Sequence, residues 1–242
     1  MVKTIDQNIM FICATDTDAG KTVVTSGLLR KAVSQGINAI AIKPVQTGLA
    51  ELDADVLMYK KAVPEKYPDD ILKRSMIYGF DKPCSPHLAA ESEDKYVEIK
   101  YIIEQITAFT AKYDLVLVEG SGGLLVPLNE NELFLDLLKK IGAPVILVAD
   151  NKLGAINHSL LSLAELKRHH INVNAMIFNN TCLSDSSKDY IRQDNKITVA
   201  KYGQVVIAAE IENLGKNDFW DNIDHQLSHI KFEKYKNKWK II

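Results

Sequence analysis

Residues 9–25 combine the residue types and the spacing that phosphate binding requires. A short apolar run, Ile9–Ala14, predicts a buried strand, and a polar turn leads from it to Gly20-Lys21-Thr22 and a helical pattern. The first N–H groups of a helix lack helical partners, and the helix dipole favours negative charge beside them. Lys21 would reach the outer phosphates of a nucleotide, and the Thr22 hydroxyl would ligate Mg²⁺. The loop is a variant, with Thr15 where the common pattern has glycine; a chance triplet is the alternative.

A second lysine, Lys43, closes another apolar run and is followed by Pro44-Val45-Gln46-Thr47-Gly48. A lysine at the end of a buried parallel strand is costly unless it meets an anion. We therefore expect Lys43 to neutralise a phosphoryl group or a carboxylate-like substrate, with Thr47 as a hydrogen-bond donor. The alternative is a lysine that only extends its ammonium group to solvent.

Acidic residues form the third group. Glu119 ends the apolar run Leu115–Val118 and precedes Gly120-Ser121-Gly122-Gly123. An acid at the end of a buried strand beside a phosphate loop suits Mg²⁺, directly or through water, and the glycines let the backbone approach a ligand. Asp55, in a predicted helix over 53–59, is a weaker candidate because a surface acid is the default for such a position. An exposed strand tip is the alternative for Glu119.

Alternating strands and helices predict an α/β fold, a P-loop NTPase-like and mostly parallel sheet flanked by helices on both faces of a single domain over 1–242. The predicted helices span 22–34, 97–112, 132–141, 157–168 and 218–229. Residues 51–92 are expected to form an irregular lobe over the site. The predicted strands are Ile9–Ala14, Ala39–Lys43, Asp114–Glu119, Val145–Ala149, Val173–Asn179 and Val205–Ala208.

The composition limits the classes of binding partner that we expect. The 242 residues are 47% hydrophobic, with a net charge of −2, so nothing favours nucleic acid, and no run suits a membrane span. The widely spaced Cys13, Cys84 and Cys182 fit a reducing cytoplasm rather than a disulfide framework. Residues 231–242 are expected to form a basic, solvated C-terminal tail.

These segments together resemble the dethiobiotin synthetase family from about residue 12 to 180, with a fainter match to 210. The family's loop reads close to GTDTEVGKT, where this chain has ATDTDAGKT at residues 14–22. Its KPV-x-[ST]-G, VEG-x-GG and KLG-x-INH segments match residues 43–48, 118–123 and 152–158, and Ser85-Pro86-His87 fits its SPH element. Four segments in this order are far more specific than a Gly-Lys-Thr triplet.

The resemblance implies an ATP-dependent ligase that converts 7,8-diaminononanoate and CO₂ or bicarbonate to dethiobiotin. Lys21 and Lys43 would bracket the carbamate and the γ-phosphate, with Thr17 near the diamine. Thr22, Asp55 and Glu119 would surround Mg²⁺. The implied ATP site comprises Asp18, Ala19, Gly20, Lys21, Thr22, Val23, Asp55, Glu119, Gly120, Ser121, Gly122, Asn179 and Asn180.

The implied substrate site comprises Thr47, Leu153, Gly154 and Asn157. The last three would belong to a homodimer interface, where N–H groups at a helix start take the substrate carboxylate from the partner subunit. On pattern alone, a plain helix start is an equal alternative. Asn179 would contact the adenine, but the match fades past Asn180 and leaves the nucleotide preference open.

The main rival is a partitioning or site-placing ATPase of the same phosphate-loop class, which would transform no small substrate. Such proteins usually carry an extra lysine near the start of the loop, and residues 14–17 contain none. An ATP-dependent ligase with a glutaminase domain is a second rival, for which 242 residues leave no room.

Overall fold

The computed structural model describes residues 8–50, 54–180, 189–212, 218–235 and 238–242. The strands of its main sheet are β1 (Ile9–Ala14), β2 (Ala39–Gln46), β3 (Met76–Gly79), β4 (Leu115–Gly123), β5 (Val145–Asp150), β6 (Val173–Asn179) and β7 (Ile207–Ile211). Within the described ranges these seven strands are all parallel, in the order β3-β2-β4-β1-β5-β6-β7. The predicted parallel sheet is therefore confirmed.

Helices flank the sheet. They are α1 (Lys21–Ser34), α2 (Asp55–Ala62), α3 (Asp69–Ser75), α4 (Pro86–Glu91), α5 (Ile99–Thr110), α6 (Phe134–Ile141), α7 (Ala155–Arg168), α8 (Asp189–Gly203) and α9 (Phe219–Gln226). Successive side chains of a strand point to opposite faces, and every residue of β1, β2 and β5 is buried. Both faces of the sheet are therefore covered, as predicted. In the described part of the chain, no helix is long and apolar enough to span a membrane.

The predicted irregular lobe is wrong for residues 54–92. This segment contains α2, a short 3₁₀ turn (Pro64–Lys66), α3, the edge strand β3 and α4. The strand β3 has only four residues, all half-buried, and pairs with β2 alone. A strand of four residues is too short to be predicted from an apolar run in the sequence. The predicted start of α2 at Asp53 lies outside the described residues, as does Cys182.

Other elements also differ from the sequence-based expectation. Strands β2 and β4 continue past their predicted ends, Lys43 and Glu119, to Gln46 and Gly123. The seventh strand lies at Ile207–Ile211 rather than 205–208, and helix α8 was not predicted. Only Asn195 and Val199 of α8 are buried, so its sequence carries almost no apolar stripe.

The basic tail is a packed hairpin, not a solvated arm, and that prediction is wrong. Antiparallel strands β8 (Phe232–Tyr235) and β9 (Lys238–Ile241) pair within it. Phe232, Trp239 and Ile241 are buried in the core. Trp239 Nε1 donates a hydrogen bond to the Asp114 carbonyl at 2.6 Å. The lysines on either side of Trp239 face outward, which is the period-two alternation of a half-buried strand.

We expect Trp239→Ala to lower the free energy of unfolding by about 3–5 kcal/mol, because it removes a buried indole and its hydrogen bond. Tyr235→Ala in the same hairpin is the control: Tyr235 is 60% exposed, so its loss should cost less than about 1 kcal/mol. Urea unfolding measures both. Equal costs would mean that the hairpin does not pack on the core in solution.

Candidate active site

The phosphate loop joins β1 to α1 and ends at Gly20, the N-cap of the helix. Gly20 has φ 89° and ψ 24°, a left-handed conformation that favours glycine. A Cβ at this position would lie 1.9 Å from Asn179 Nδ2, and that amide donates to the Ala19 carbonyl at 3.1 Å. The end of β6 therefore holds the loop in place, and the open N–H groups of the first turn of α1 lie beside it.

Lys21 folds back over this loop. Its Nζ donates to the Asp16 carbonyl at 3.3 Å, and the residue is 7% exposed. Burial lowers the pKa of Lys21, and the positive charge of Lys43 lowers it further against the opposing effect of Glu119 and Asp55. Glu119 Oε1 is 2.8 Å from the Lys43 ammonium and 2.9 Å from the hydroxyl of Thr22, the residue after Lys21, so Lys43 lies beside the phosphate loop.

Lys43 lies between two carboxylates. Its Nζ is 2.8 Å from Glu119 Oε1 and 2.7 Å from Asp55 Oδ2, and it donates to the Gly120 carbonyl at 3.0 Å. Lys43 is 5% exposed and Glu119 fully buried. Burial lowers the pKa of Lys43, but the attraction of Glu119 and Asp55 outweighs burial and leaves the pKa above its ordinary value. Lys43 is thus held as a buried cation.

The Thr22 hydroxyl completes this acid–lysine cluster, which we define as Thr22, Lys43, Asp55 and Glu119. Thr22 Oγ1 lies 2.9 Å from Asp55 Oδ1 and 2.9 Å from Glu119 Oε1. Hydroxyl and carboxylate oxygens are the ligands that Mg²⁺ prefers. By donor type these residues therefore fit Mg²⁺, which would share the two acids with the Lys43 ammonium group.

Strand order explains why residues so far apart in the chain meet. Strand β4 lies between β2 and β1, so the carboxyl ends of all three strands adjoin. Ile12 of β1 pairs with Glu119, and Ile42 of β2 pairs with Val118. The loop after β1, Lys43 of β2 and the acid of β4 are therefore neighbours at one edge of the sheet.

Sequence reasoning missed two residues of the site, Gln46 and Tyr59. Gln46 Oε1 accepts a hydrogen bond from the Asp55 N–H at 3.1 Å, which connects the end of β2 to the start of α2. The Tyr59 hydroxyl donates to Glu119 Oε2 at 2.5 Å, and Tyr59 is fully buried. Burial and then the charge of Glu119 raise the pKa of Tyr59 well above its ordinary value. Tyr59 could have been found from its spacing in the sequence. It lies four residues after Asp55, and residues four apart share a helix face.

Other predicted residues border the acid–lysine cluster. Thr17 is exposed on the loop, and a Cβ added at Gly122 would lie 3.5 Å from its Oγ1. The Ser121 hydroxyl donates to the Val45 carbonyl, so the end of β4 contacts β2. Thr47 is half-buried just beyond β2. Asp18 and Val23 flank the Gly-Lys-Thr triplet, with Asp18 at φ 57°.

The remaining predicted residues lie on the other side of β1. Asn180 is buried at the end of β6, and its Nδ2 donates to Glu212 Oε1 at 2.6 Å. Gly154, at φ 94°, is the N-cap of α7. Leu153 is 84% exposed, and Asn157 is exposed one turn into the helix. The start of α7 is therefore an open surface rather than part of the acid–lysine cluster.

A parallel sheet with a Gly-Lys-Thr loop after one strand and a buried acid after its neighbour defines a P-loop nucleotide-binding protein. Residues 8–218 match the family described as AAA domain. The ParA family ATPase of Chlorobium tepidum aligns with 92% of this chain and 91% of its own at a TM-score of 0.53 and 14% identity. The MinC:MinD complex of Aquifex aeolicus aligns with 90% of this chain and 86% of its own chain, at a TM-score of 0.55 and 12% identity. These likenesses show the fold alone.

Sequence relatives are more specific. The chain is 40% identical to the ATP-dependent dethiobiotin synthetase BioD 2 of Pasteurella multocida over 80% of this chain and 90% of that protein. It is 37% identical to the ATP-dependent dethiobiotin synthetase BioD of Halalkalibacterium halodurans over 79% of this chain and 78% of that protein. The chain belongs to the dethiobiotin synthetase family, and the resemblance read from its motifs is confirmed.

Gly20→Ala should weaken ATP binding by about tenfold or more, because 1.4 kcal/mol is a factor of ten and the new methyl group collides with Asn179. Gly36→Ala is the matched control, since Gly36 has φ 78° and, apart from its chain neighbours, no atom of the described residues lies within 4 Å of its added Cβ. Both variants carry the backbone strain of about 1–2 kcal/mol. Fluorescent-ATP titration measures affinity, and equal affinity losses would contradict the role of Asn179.

Proposed function

We propose that this chain carboxylates 7,8-diaminononanoate with CO₂ and closes the ring at the expense of ATP, giving dethiobiotin, ADP and phosphate in biotin biosynthesis. Family membership supports this reaction. The free thiols of Cys13 and Cys84 accord with a cytoplasmic enzyme.

The observation that carries the proposal is the convergence of Lys21 and Lys43 at one sheet edge, opposite two carboxylates and a hydroxyl. Phosphoryl transfer from ATP to a carbamate concentrates negative charge on phosphoryl and carbamate oxygens. Fixed cations that need no reorganisation are the natural stabilisers of such charge. A phosphate loop alone provides one lysine, and Lys43 provides the second from the neighbouring part of the sheet.

The reaction begins when one substrate amine attacks CO₂, forming an N–C bond and losing a proton. A carbamate oxygen then attacks the γ-phosphorus, and the bond from that phosphorus to the ADP oxygen breaks. Lys21, which follows the loop, and Lys43, within β2, would bracket the oxygens that carry the charge. The raised pKa of Lys43 keeps its ammonium group protonated for this role.

Thr22, Asp55 and Glu119 are the residues that would hold Mg²⁺. When bound, this ion neutralises charge on the β- and γ-phosphates. The open N–H groups at the start of α1 would bind the same phosphates.

In the last step the second amine attacks the activated carbonyl carbon, phosphate leaves, and the ring closes with loss of a proton. Ring closure depends on positioning, because the amine must lie beside the activated carbon. Thr17, exposed on the loop, and Thr47, just beyond Lys43, would orient the diamine through their hydroxyl groups.

We assign Asn179 and Asn180, at the end of β6, to the adenine side of the ATP site. We also propose a homodimer in which the start of α7 binds the substrate carboxylate of the partner subunit. Two observations support this role: Gly154 at the N-cap has no side chain to occupy the helix start, and Leu153 and Leu161 of the same region are 84% and 62% exposed. The Ala155 N–H donates to the Lys152 carbonyl at 3.0 Å, which leaves the next N–H groups of the first turn for an anion.

The decisive test follows phosphate release and product mass with diamine, bicarbonate and ATP. We expect phosphate release to require both diamine and bicarbonate, and the product to carry the mass of dethiobiotin. ATP hydrolysis that proceeds equally well without diamine would favour the partitioning-type ATPase instead.

Lys43→Met tests the second lysine while keeping its aliphatic stem. We expect kcat to fall by about 100- to 1000-fold, the usual cost of losing one transition-state donor. In the folded variant the dissociation constant for ATP should change little, because the phosphate loop remains. Urea unfolding measures separately the stability cost of leaving the two acids without Lys43, about 3–5 kcal/mol. Lys60→Met is the control, since Lys60 is a partly exposed lysine of α2 paired with Asp69 at 3.4 Å. Equal losses of kcat and ATP affinity in Lys43→Met would remove Lys43 from the chemistry.

A further inference from the structure

Glu119 is a fully buried carboxylate whose two oxygens have different partners. Oε1 faces the Thr22 hydroxyl at 2.9 Å and the Lys43 ammonium at 2.8 Å. Oε2 accepts a hydrogen bond from the Tyr59 hydroxyl at 2.5 Å. Glu119 itself has no exposed surface. The two sides of the carboxyl group are therefore distinguished by the protein, with the cation side at Oε1 and the tyrosine at Oε2.

Tyr59 is held firmly enough to impose this orientation. It lies one helical turn after Asp55 on α2, and its ring centroid is 6.3 Å from that of Tyr67. Tyr67 is fixed to the edge of β2, because its hydroxyl contacts both the Ala41 N–H, at 2.9 Å, and the Ala41 carbonyl, at 2.7 Å. Both tyrosines are fully buried, so neighbouring atoms pack around both rings.

We propose that Tyr59 is a positioning residue, whose hydroxyl orients Glu119 so that Oε1 alone is presented to Thr22, Lys43 and the divalent cation. The inference rests on the proposed role of Glu119 in the metal site. Without the hydroxyl, Oε2 has no hydrogen-bond partner among the described residues, and the buried carboxyl group is held only through Oε1. The orientation of Oε1 toward Thr22 and Lys43 is then less well fixed.

A partner of this kind acts through the ligand and not on the substrate. Loss of a hydrogen-bonding residue behind a metal ligand typically costs about 10- to 100-fold in metal affinity. A merely structural tyrosine would lower stability without this effect. Metal affinity measured apart from turnover separates the two roles.

The experiment compares Tyr59→Phe with Tyr67→Phe in the intact protein. Both remove one buried hydroxyl from neighbouring rings, but only Tyr59 contacts Glu119. The dissociation constant of Mn²⁺ is measured on the ADP complex by electron paramagnetic resonance, and unfolding is followed by circular dichroism. We expect Tyr59→Phe to raise the Mn²⁺ dissociation constant about 10- to 100-fold and Tyr67→Phe to leave it unchanged. Metal-free ADP affinity should stay the same in both.

Glu119→Gln separates failure of this inference from failure of the metal site itself. If Glu119→Gln weakens Mn²⁺ binding and Tyr59→Phe does not, Tyr59 is not a positioning residue. If neither variant changes Mn²⁺ binding, Glu119 is not a metal ligand, and both ideas are overturned. Tyr59→Phe should add little in the Glu119→Gln background, because the two residues act as one unit. Additive effects would show that Tyr59 acts by another route.

Discussion

The ion pairs of Lys43 with Asp55 and Glu119 are the constraint on which the candidate site depends. Charges that leave water are costly, and their attraction compensates only when the geometry is good. Here one ammonium group lies within 2.8 Å of oxygens from both acids. Removing one member of a buried pair typically costs about 3–5 kcal/mol, because the remaining charge is left uncompensated. Strand β2, strand β4 and helix α2 are therefore bound to one another by this contact.

The sheet makes that contact available. Lys43 and Glu119 are 76 positions apart, yet β2 and β4 are adjacent parallel strands, and their carboxyl ends lie at the same edge. Strand β1 pairs with the other side of β4, which brings the phosphate loop to the same place. Since parallel strands require a crossover between them, the strands that supply these polar residues belong to separate segments of the chain. The fold thus collects cations and acids from separate chain segments around one anion-binding loop.

The sequence predicted Lys43 and Glu119 because each is a charged residue directly after an apolar run, although both strands continue past it. Tyr59 was not predicted, since a tyrosine in a helix is an ordinary core residue and its partner is 60 positions away. The C-terminal hairpin was missed for a different reason: its many lysines suggested a solvated tail, while Trp239 and Ile241 alternate with them toward the core. The high lysine content of the tail suggested exposure, whereas the alternation of apolar and charged residues indicates a half-buried strand.

The same parallel sheet occurs in the ParA family and MinD structures at 14% and 12% identity, so the sheet does not decide the chemistry. The local additions to the sheet are more informative. Helix α2 carries Asp55 toward Lys43 and, one turn later, Tyr59 toward the far oxygen of Glu119, and Gln46 fixes its first residue. Strands β2 and β4 thus supply Lys43 and Glu119, whereas Asp55 and Tyr59 come from helix α2. This helix belongs to residues 51–92, where the sequence pattern is weakest. Substitutions on the buried face of α2 should therefore affect the site more than its sequence suggests.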